Sequence, residues 1–300
     1  MTITVENMDS INIIMKHMGT YGRAAGAKVN IEKSELMCIG QEGDRVDSMI
    51  AFRVVDCIKV LGVNIGPNEK EARDITWTGV INKIKHTLNA WKQRKLKLKG
   101  KVIVVNSLLL SKCVYVLGAL DLPVWVLSEL NQLTSNFLWD GKGVRISHKT
   151  LIAGYSEGGL KLVDIDTKRK ALRVKTVKKY LHDVNDYGWK QFFKMYVQMA
   201  GRCGENSLLM VLKEPMYEKV PFFYQEVFRA WGEFLPNISY NCSNVTEVMN
   251  KPVFLNPIIQ HNNKMLYNKV FMDAGIRQVK DMVYEFVPGF LPGQAMVDGV

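Results

Sequence analysis

Apolar positions change their period several times along this chain, and each change marks a predicted element. Met8, Ile11, Ile14, Met15 and Met18 recur at helical spacing, with Gly19 and Gly22 as the predicted end of that helix. Glu35 to Ile39 reads as a short strand. Ala51 to Val55 and Ile58 to Ile65 are β-branched runs that predict a hairpin-like pair, bounded by Gly66-Pro67. Such a βαβ-type remnant is too small to close a sheet by itself.

From Asp74 onward the period is helical. Trp77, Ile81, Ile84, Leu88 and Trp91 step by 4, 3, 4 and 3, which puts all five on one face. Between them lie Asn82, Lys83, Lys85, His86, Asn89 and Lys92. A basic stretch from Lys92 to Lys101 follows, with Gly100 as a predicted turn into a more apolar helix that runs to about Leu120 and stops at Pro123. A third helix, about Leu127 to Trp139, presents Leu127, Leu130, Leu133 and Phe137. Gly141 to Asp164 reads as loop and short strand around Gly158-Gly159. Asp166 opens another helix whose first turns hold Lys168, Arg169, Lys170, Arg173 and Lys175. Beyond about residue 185, aromatics and prolines such as Trp189, Phe192, Phe193, Pro215, Pro221, Phe222, Phe223 and Trp231 replace the lysines. No internal repeat is visible. The expected fold is mainly α with a small α+β remnant at the N-terminus, and a loose boundary falls near residue 200.

Three hundred residues with 47% hydrophobic content can bury a sizeable core in two domains. The formal charge of +11 favours a polyanionic partner, nucleic acid before an acidic membrane surface. Residues 201–300 carry nine Lys/Arg against ten Asp/Glu, so the excess lies in the first two hundred and points to a localised face. Met1 to Ser10 contains Glu6 and Asp9 and lacks the form of a secretory leader. The most apolar stretch, Val102 to Leu122, is interrupted by Asn106, Ser107, Ser111 and Lys112 and reads as a buried helix, with no membrane span expected. Five scattered cysteines (Cys38, Cys57, Cys113, Cys203, Cys242) read as reduced, mostly buried residues of an intracellular protein, nuclear or cytoplasmic and not secreted. Without a secretory route, the N-x-S/T triplets at Asn237, Asn241 and Asn244 read as a polar loop.

Nucleotidyl transfer needs clustered carboxylates to hold two metal ions. Asp44, Asp47 and Asp56 lie in predicted loop and turn, where solvated acids are expected, and His17, His86, His148, His182 and His261 are far apart. No metal site or cofactor is therefore expected in this chain. The basic run carries the strongest physical signal. Lys83, Lys85, Lys92, Arg94, Lys95, Lys97, Lys99 and Lys101 fall within nineteen residues that contain no acid. Such a density repels itself unless a polyanion is near, and each phosphate it neutralises releases condensed counterions. In Lys95-Leu96-Lys97-Leu98-Lys99 an extended backbone would set lysines on one face and leucines on the other. The alternative is a merely solvated face. Trp77 and Trp91, on the apolar stripe, read as core and not as base-stacking platforms.

Several segments in order resemble LINE-type (non-LTR retrotransposon) reverse transcriptases. Gly26-Ala27-Lys28-Val29-Asn30-Ile31-Glu32-Lys33-Ser34-Glu35 and Lys59-Val60-Leu61-Gly62-Val63-Asn64-Ile65-Gly66 look like the last two palm blocks. Trp91-Lys92, Lys99-Gly100-Lys101-Val102 and Asn106-Ser107-Leu108-Leu109-Leu110-Ser111-Lys112 look like the thumb. Phe137-Leu138-Trp139-Asp140-Gly141-Lys142, Gly158-Gly159-Leu160-Lys161-Leu162, Ala274-Gly275-Ile276 and Val279-Lys280-Asp281 are similar to segments that follow it. The resemblance implies an incomplete palm over residues 1–70, a helical basic thumb over 71–140, a basic linker over 141–200 and a neutral aromatic-rich region over 201–300. It implies RNA template and DNA primer as partners. The Ala-Asp-Asp turn that binds Mg²⁺ in an intact relative would precede the chain, which would grip nucleic acid without catalysing by itself. Lys33 matches a lysine that acts as accessory general acid in an intact enzyme. Its alternative reading is a surface lysine after a turn, with Asn30 satisfying that turn. Lys59 and Gly62 match the primer grip, where glycine lets backbone approach the sugar-phosphate chain; a strand bend is the plainer alternative. A second function class also fits: a non-catalytic basic helical protein that binds RNA or DNA in its own right.

Overall fold

The computed structural model describes residues 2–39, 52–238 and 244–283. Asp44, Asp47, Ala51, Asn241 and Cys242 lie outside the described residues. The chain is mostly helical with a small N-terminal strand remnant, as the hydrophobic periodicity predicts. It divides into two compact units: residues 1–116 with 128–143, and residues 117–127 with 144–300.

Unit 1 opens with α1 (Met8–Ala25). Asn7 caps its start by accepting the Ser10 N–H, and Gly26, in the left-handed region at φ 64°, closes its end. The helix thus runs through Gly19 and Gly22 and not to a stop there: a glycine inside a helix weakens it without ending it. A 3₁₀ turn at Ile31–Lys33 follows, capped by Asn30, whose side chain accepts the Lys33 N–H at 3.1 Å.

Strands β1 (Glu35–Leu36) and β2 (Arg53–Val54) pair in parallel, while β3 (Ile58–Val60) and β4 (Val63–Ile65) form an antiparallel hairpin. The 51–55 run therefore pairs with Glu35–Leu36 and not with the run after it. The hairpin closes within 58–65 because Leu61 and Gly62 both take positive φ (49° and 91°), the two-residue turn geometry that suits a twisted ladder.

Helix α2 (Glu69–Lys92) starts at the Asn68 cap and buries Ala72, Thr76, Trp77, Ile81, Ile84 and Leu88. Trp77 and Ile84 are fully buried, so the 4-3-4 step is a core stripe worth roughly 2 kcal/mol per large side chain. Thr76 Oγ1 accepts from the backbone N–H and the side chain of Asn64, at 2.8 and 3.0 Å, which locks β4 onto α2.

Helix α3 (Leu98–Val104) passes through a π-helical turn (Val105–Leu109) into α4 (Leu110–Ala119). Gly100 lies inside α3, where an added Cβ would meet only the Leu96 side chain at an ordinary 3.6 Å, and the expected turn at Gly100 falls instead at residues 93–97. This 22-residue helix is the one among the described residues long and apolar enough to cross a membrane. Its Val102, Val104, Val105, Leu109, Cys113, Val116 and Leu117 are all buried in the fold. Helix α5 (Val124–Trp139) buries Leu130 and Phe137 and leaves Leu127 and Leu133 half-buried.

Unit 2 continues with α6 (His148–Ile152) and a 3₁₀ turn at Tyr155–Glu157, helical turns where a short strand was expected. Gly158 is left-handed at φ 76°, and a Cβ on Gly159 would meet the Ala153 carbonyl oxygen at 2.0 Å. The Gly-Gly pair therefore lets the chain fold back, with the Leu160 and Leu162 N–H groups both donating to Leu151 O. Helices α7 (Ile165–His182), α8 (Gly188–Gly201), α9 (Glu214–Tyr217) and α10 (Phe222–Phe234) gather around Val177, Phe193, Val197, Val227 and Phe228, all essentially buried. Phe193 meets Tyr180 edge-on with centroids 4.9 Å apart and stacks on Phe228 at 6.1 Å in this core. Helix α11 (Val245–Met249), the two-residue strands β5 (Gln260–His261) and β6 (Lys264–Met265), and α12 (Lys269–Asp273) complete the unit. The Val279-Lys280-Asp281 segment is held by Asp281, which accepts the N–H groups of Arg277 and Gln278 at 2.9 and 2.7 Å.

At the centre of unit 2 sits a buried ion network. The Arg173 guanidinium, 1% exposed, bonds Glu226 twice (2.8 and 2.9 Å) and donates to the carbonyls of Leu117 and Leu120. Glu226 also accepts from Arg169 at 2.7 Å and from the Leu122 N–H. Arg173 thus satisfies carbonyls left over at the end of α4, where cations are favoured.

Candidate nucleic-acid interface

The cations singled out in the sequence separate into groups, all within unit 1. Lys83 and Lys85 project from the exposed face of α2, opposite the Trp77 stripe. Lys85 is already paired with Glu129 of α5 at 2.7 Å. Lys92 is exposed at the end of α2, and the Arg94 guanidinium lies 4.4 Å from the centre of the half-buried Trp91 ring.

Beyond Arg94 the exposure alternates as an extended segment requires. Lys95, Lys97 and Lys99 are exposed, and Leu96 and Leu98 are half-buried between them. The extended stretch ends where α3 begins at Leu98, so Lys99 projects from the first turn of a helix.

Lys101 departs from this row. It is 9% exposed, ion-paired with Asp140 at 2.6 Å, and donates to the Leu138 carbonyl. It therefore stands apart from the exposed row: a buried, hydrogen-bonded ammonium braces the fold. The hydrogen bond from Lys101 holds the Asp140 carboxyl below its ordinary range, with the charges of Lys101, Lys142 and Lys92 adding to the effect. Sequence reasoning missed this tie because Asp140 lies 39 residues from its partner.

The helix of α3 and α4 adds an exposed edge of mixed character. Lys99, Ile103, Ser107, Ser111 and Tyr115 are its exposed positions in unit 1, recurring every four residues. A regular α-helix would rotate such a stripe away; the π turn, with Leu110 N–H donating to Val105 O, absorbs the extra residue and keeps it aligned.

Lys33 and Lys59, from two separate sequence blocks, line one open cleft of about 990 Å³ together with Asn30, Glu35, Cys38 and Val60. Both lysines are exposed. Gly62 is not in a strand bend; it sits at the hairpin tip beside Leu61, which is 85% exposed. No atom lies within 4 Å of where its Cβ would be, so the fold requires glycine there for its φ alone.

Among the described residues, no group of three or more His, Cys, Asp or Glu side chains could hold a metal ion. Asp164-Ile165-Asp166, an Asp-x-Asp spacing that sequence reasoning also missed, is structural: Asp164 caps α7 and Asp166 pairs with Arg169 at 2.6 Å. Cys38 and Cys57 are half-buried free thiols; burial pushes the Cys113 thiol up to about 12 and that of Cys203 to about 11, so both stay protonated.

No protein-family model matches the chain. Over 248 residues, 79% of its length, it is 22% identical to the Transposon TX1 uncharacterized 149 kDa protein of Xenopus laevis. A distant relative is thus a transposon protein. The chain spans about a fifth (19%) of that relative's length.

Proposed function

We propose that the chain supplies the nucleic-acid grip of a LINE-type retrotransposon reverse transcriptase, with a thumb-like set of helices in unit 1 holding RNA template and DNA primer. The observation that carries the reading is the exposed Lys95, Lys97, Lys99 row, with Ser107 and Ser111 exposed farther along the helix of α3 and α4. Lys83, Lys92 and Arg94 extend that surface, and Lys85 joins it when Glu129 releases it. Lys59 and Gly62, on the β3–β4 hairpin, would lie along the primer, and Lys33 would serve the leaving pyrophosphate only where metal-binding carboxylates are also present. The transposon relative supports a LINE-type origin. Binding, and not chemistry, is the role proposed for this chain, in the nucleus or cytoplasm.

The test is fluorescence anisotropy of the full chain on a labelled RNA–DNA hybrid across a salt series. Neutralising the row (Lys95→Gln, Lys97→Gln, Lys99→Gln) should flatten the plot of log affinity against log salt by roughly 2 to 3, at about 0.9 per phosphate contact. An unchanged slope would remove the row from the interface. The rival reading, a free-standing binder held by phosphate contacts, predicts no preference for the hybrid over duplex DNA of similar charge density. A template–primer grip predicts preference for the hybrid.

A further inference from the structure

Helix α7 divides its cations by face. Arg169, Lys170 and Arg173 point toward acids: Arg169 pairs with Asp166 and Glu226, Lys170 with Glu233 at 2.6 Å, and Arg173 with Glu226. Lys175, Lys178, Lys179 and His182 occupy positions i, i+3, i+4 and i+7, one helical face, and all four are exposed. Among the described residues, no carboxylate lies within 4.0 Å of these lysines or of the half-buried Lys168 one turn-pair earlier.

The nearby acids are engaged elsewhere. Asp164 accepts from Thr167, Asp183 accepts from the Asn185 N–H, and Glu205 holds Tyr180 and Lys194. The helix dipole accounts for Lys179 and His182 in the last turn but not for Lys168, Lys175 or Lys178. Like charges three and four residues apart weaken a helix. That cost is offset when a polyanion lies along the face.

We infer that this face of α7 is a second nucleic-acid-binding surface, carried by unit 2, that tracks a phosphate backbone without reading bases. From Lys168 to His182 the helix advances about 21 Å at 1.5 Å per residue, the span of about six phosphates of one strand. A membrane surface fits less well. The exposed positions of α7 are Thr167, Ala171, Lys175, Lys178, Lys179, Leu181 and His182, and Leu181 alone is a large apolar side chain, too little to form the apolar face that an interfacial helix requires. The surface belongs to unit 2 and the thumb-like row to unit 1, and the one does not depend on the other.

The experiment repeats the salt series on the full chain with Lys175→Gln, Lys178→Gln and Lys179→Gln together, using a labelled RNA–DNA hybrid and a 30-nucleotide single-stranded RNA, each ~30 nucleotides long. Far-UV circular dichroism and the thermal midpoint check the fold, and single substitutions stand in if the triple variant does not fold. The expected result is a slope shallower by about 2 to 3 on the hybrid, in addition to any loss from the Lys95, Lys97, Lys99 variant. An unchanged slope on both probes overturns the inference. So does loss of binding to phosphatidylserine vesicles with nucleic-acid affinity intact. If only the α7 variant weakens binding, this surface stands and the thumb reading falls; if only the Lys95 row does, the reverse holds.

Discussion

Arg173 ties three parts of unit 2 together: its own helix, Glu226 of α10 and the carbonyls of Leu117 and Leu120. Its guanidinium is buried, and burial lowers its affinity for the proton while Glu226 opposes that shift. Removing one member of a buried pair leaves the other charge uncompensated at a cost of about 3 to 5 kcal/mol. Glu226→Gln should therefore destabilise unit 2 by about 3 kcal/mol in urea unfolding, and Arg173→Met by at least as much, because the carbonyls of Leu117 and Leu120 also lose their donor. The combined variant should recover part of the loss; additive losses would show that the two side chains act separately. At this scale the sequence is least legible. Lys99 and Lys101 look alike in a basic run, and only the fold, by bringing Asp140 to one of them, makes one a surface charge and the other a brace. The same holds in α7, where Arg173 and Lys175 are two residues apart and meet opposite environments.

Whole elements are better legible because they follow from periodicity. The α2 stripe, the α5 face and the start of α7 fall where spacing predicts them, since burial of one face is what the spacing encodes. Strand partners are not encoded in this way. The short β-branched runs read as strands, but nothing local tells Arg53–Val54 to pair with Glu35–Leu36. The π turn is equally silent, because its residues Val105–Leu109 suit an ordinary helix. The tie between α3 and the end of α5 gives the element-scale prediction. Asp140 ionises below its ordinary value of 3.8 when Lys101 donates to it, so the folded state holds the carboxylate more strongly than the unfolded one. Its contribution is complete above the unfolded value and is lost as pH falls through the folded one. Between pH 5 and about pH 2 the wild-type chain should lose stability more steeply than Asp140→Asn, measured by thermal midpoint at each pH. Parallel curves would show that the ion pair does not hold α3.

At the scale of the whole molecule, two compact units imply two separable responses to perturbation. Asp140 and Lys101 belong to unit 1, and Arg173 and Glu226 to unit 2. Substitutions that share no partners add, and regions that open as distinct cooperative units lose hydrogen-exchange protection separately. Glu226→Gln should therefore speed exchange of amides in α7 and α10 while those around Trp77 in α2 keep their rates. Asp140→Asn at pH 5 should do the opposite, loosening α3 and the end of α5 first. Amide-resolved hydrogen exchange on the full chain distinguishes this from a single cooperative body, in which either substitution would accelerate the slowest amides of α2 and α10 alike. The outcome also bears on binding. If the units open independently, the Lys95 row and the α7 face can hold nucleic acid on separate foldons, and added hybrid should protect both. A single body would make protection of one inseparable from protection of the other, so hybrid added to the Lys175→Gln, Lys178→Gln, Lys179→Gln variant would still slow exchange in α7.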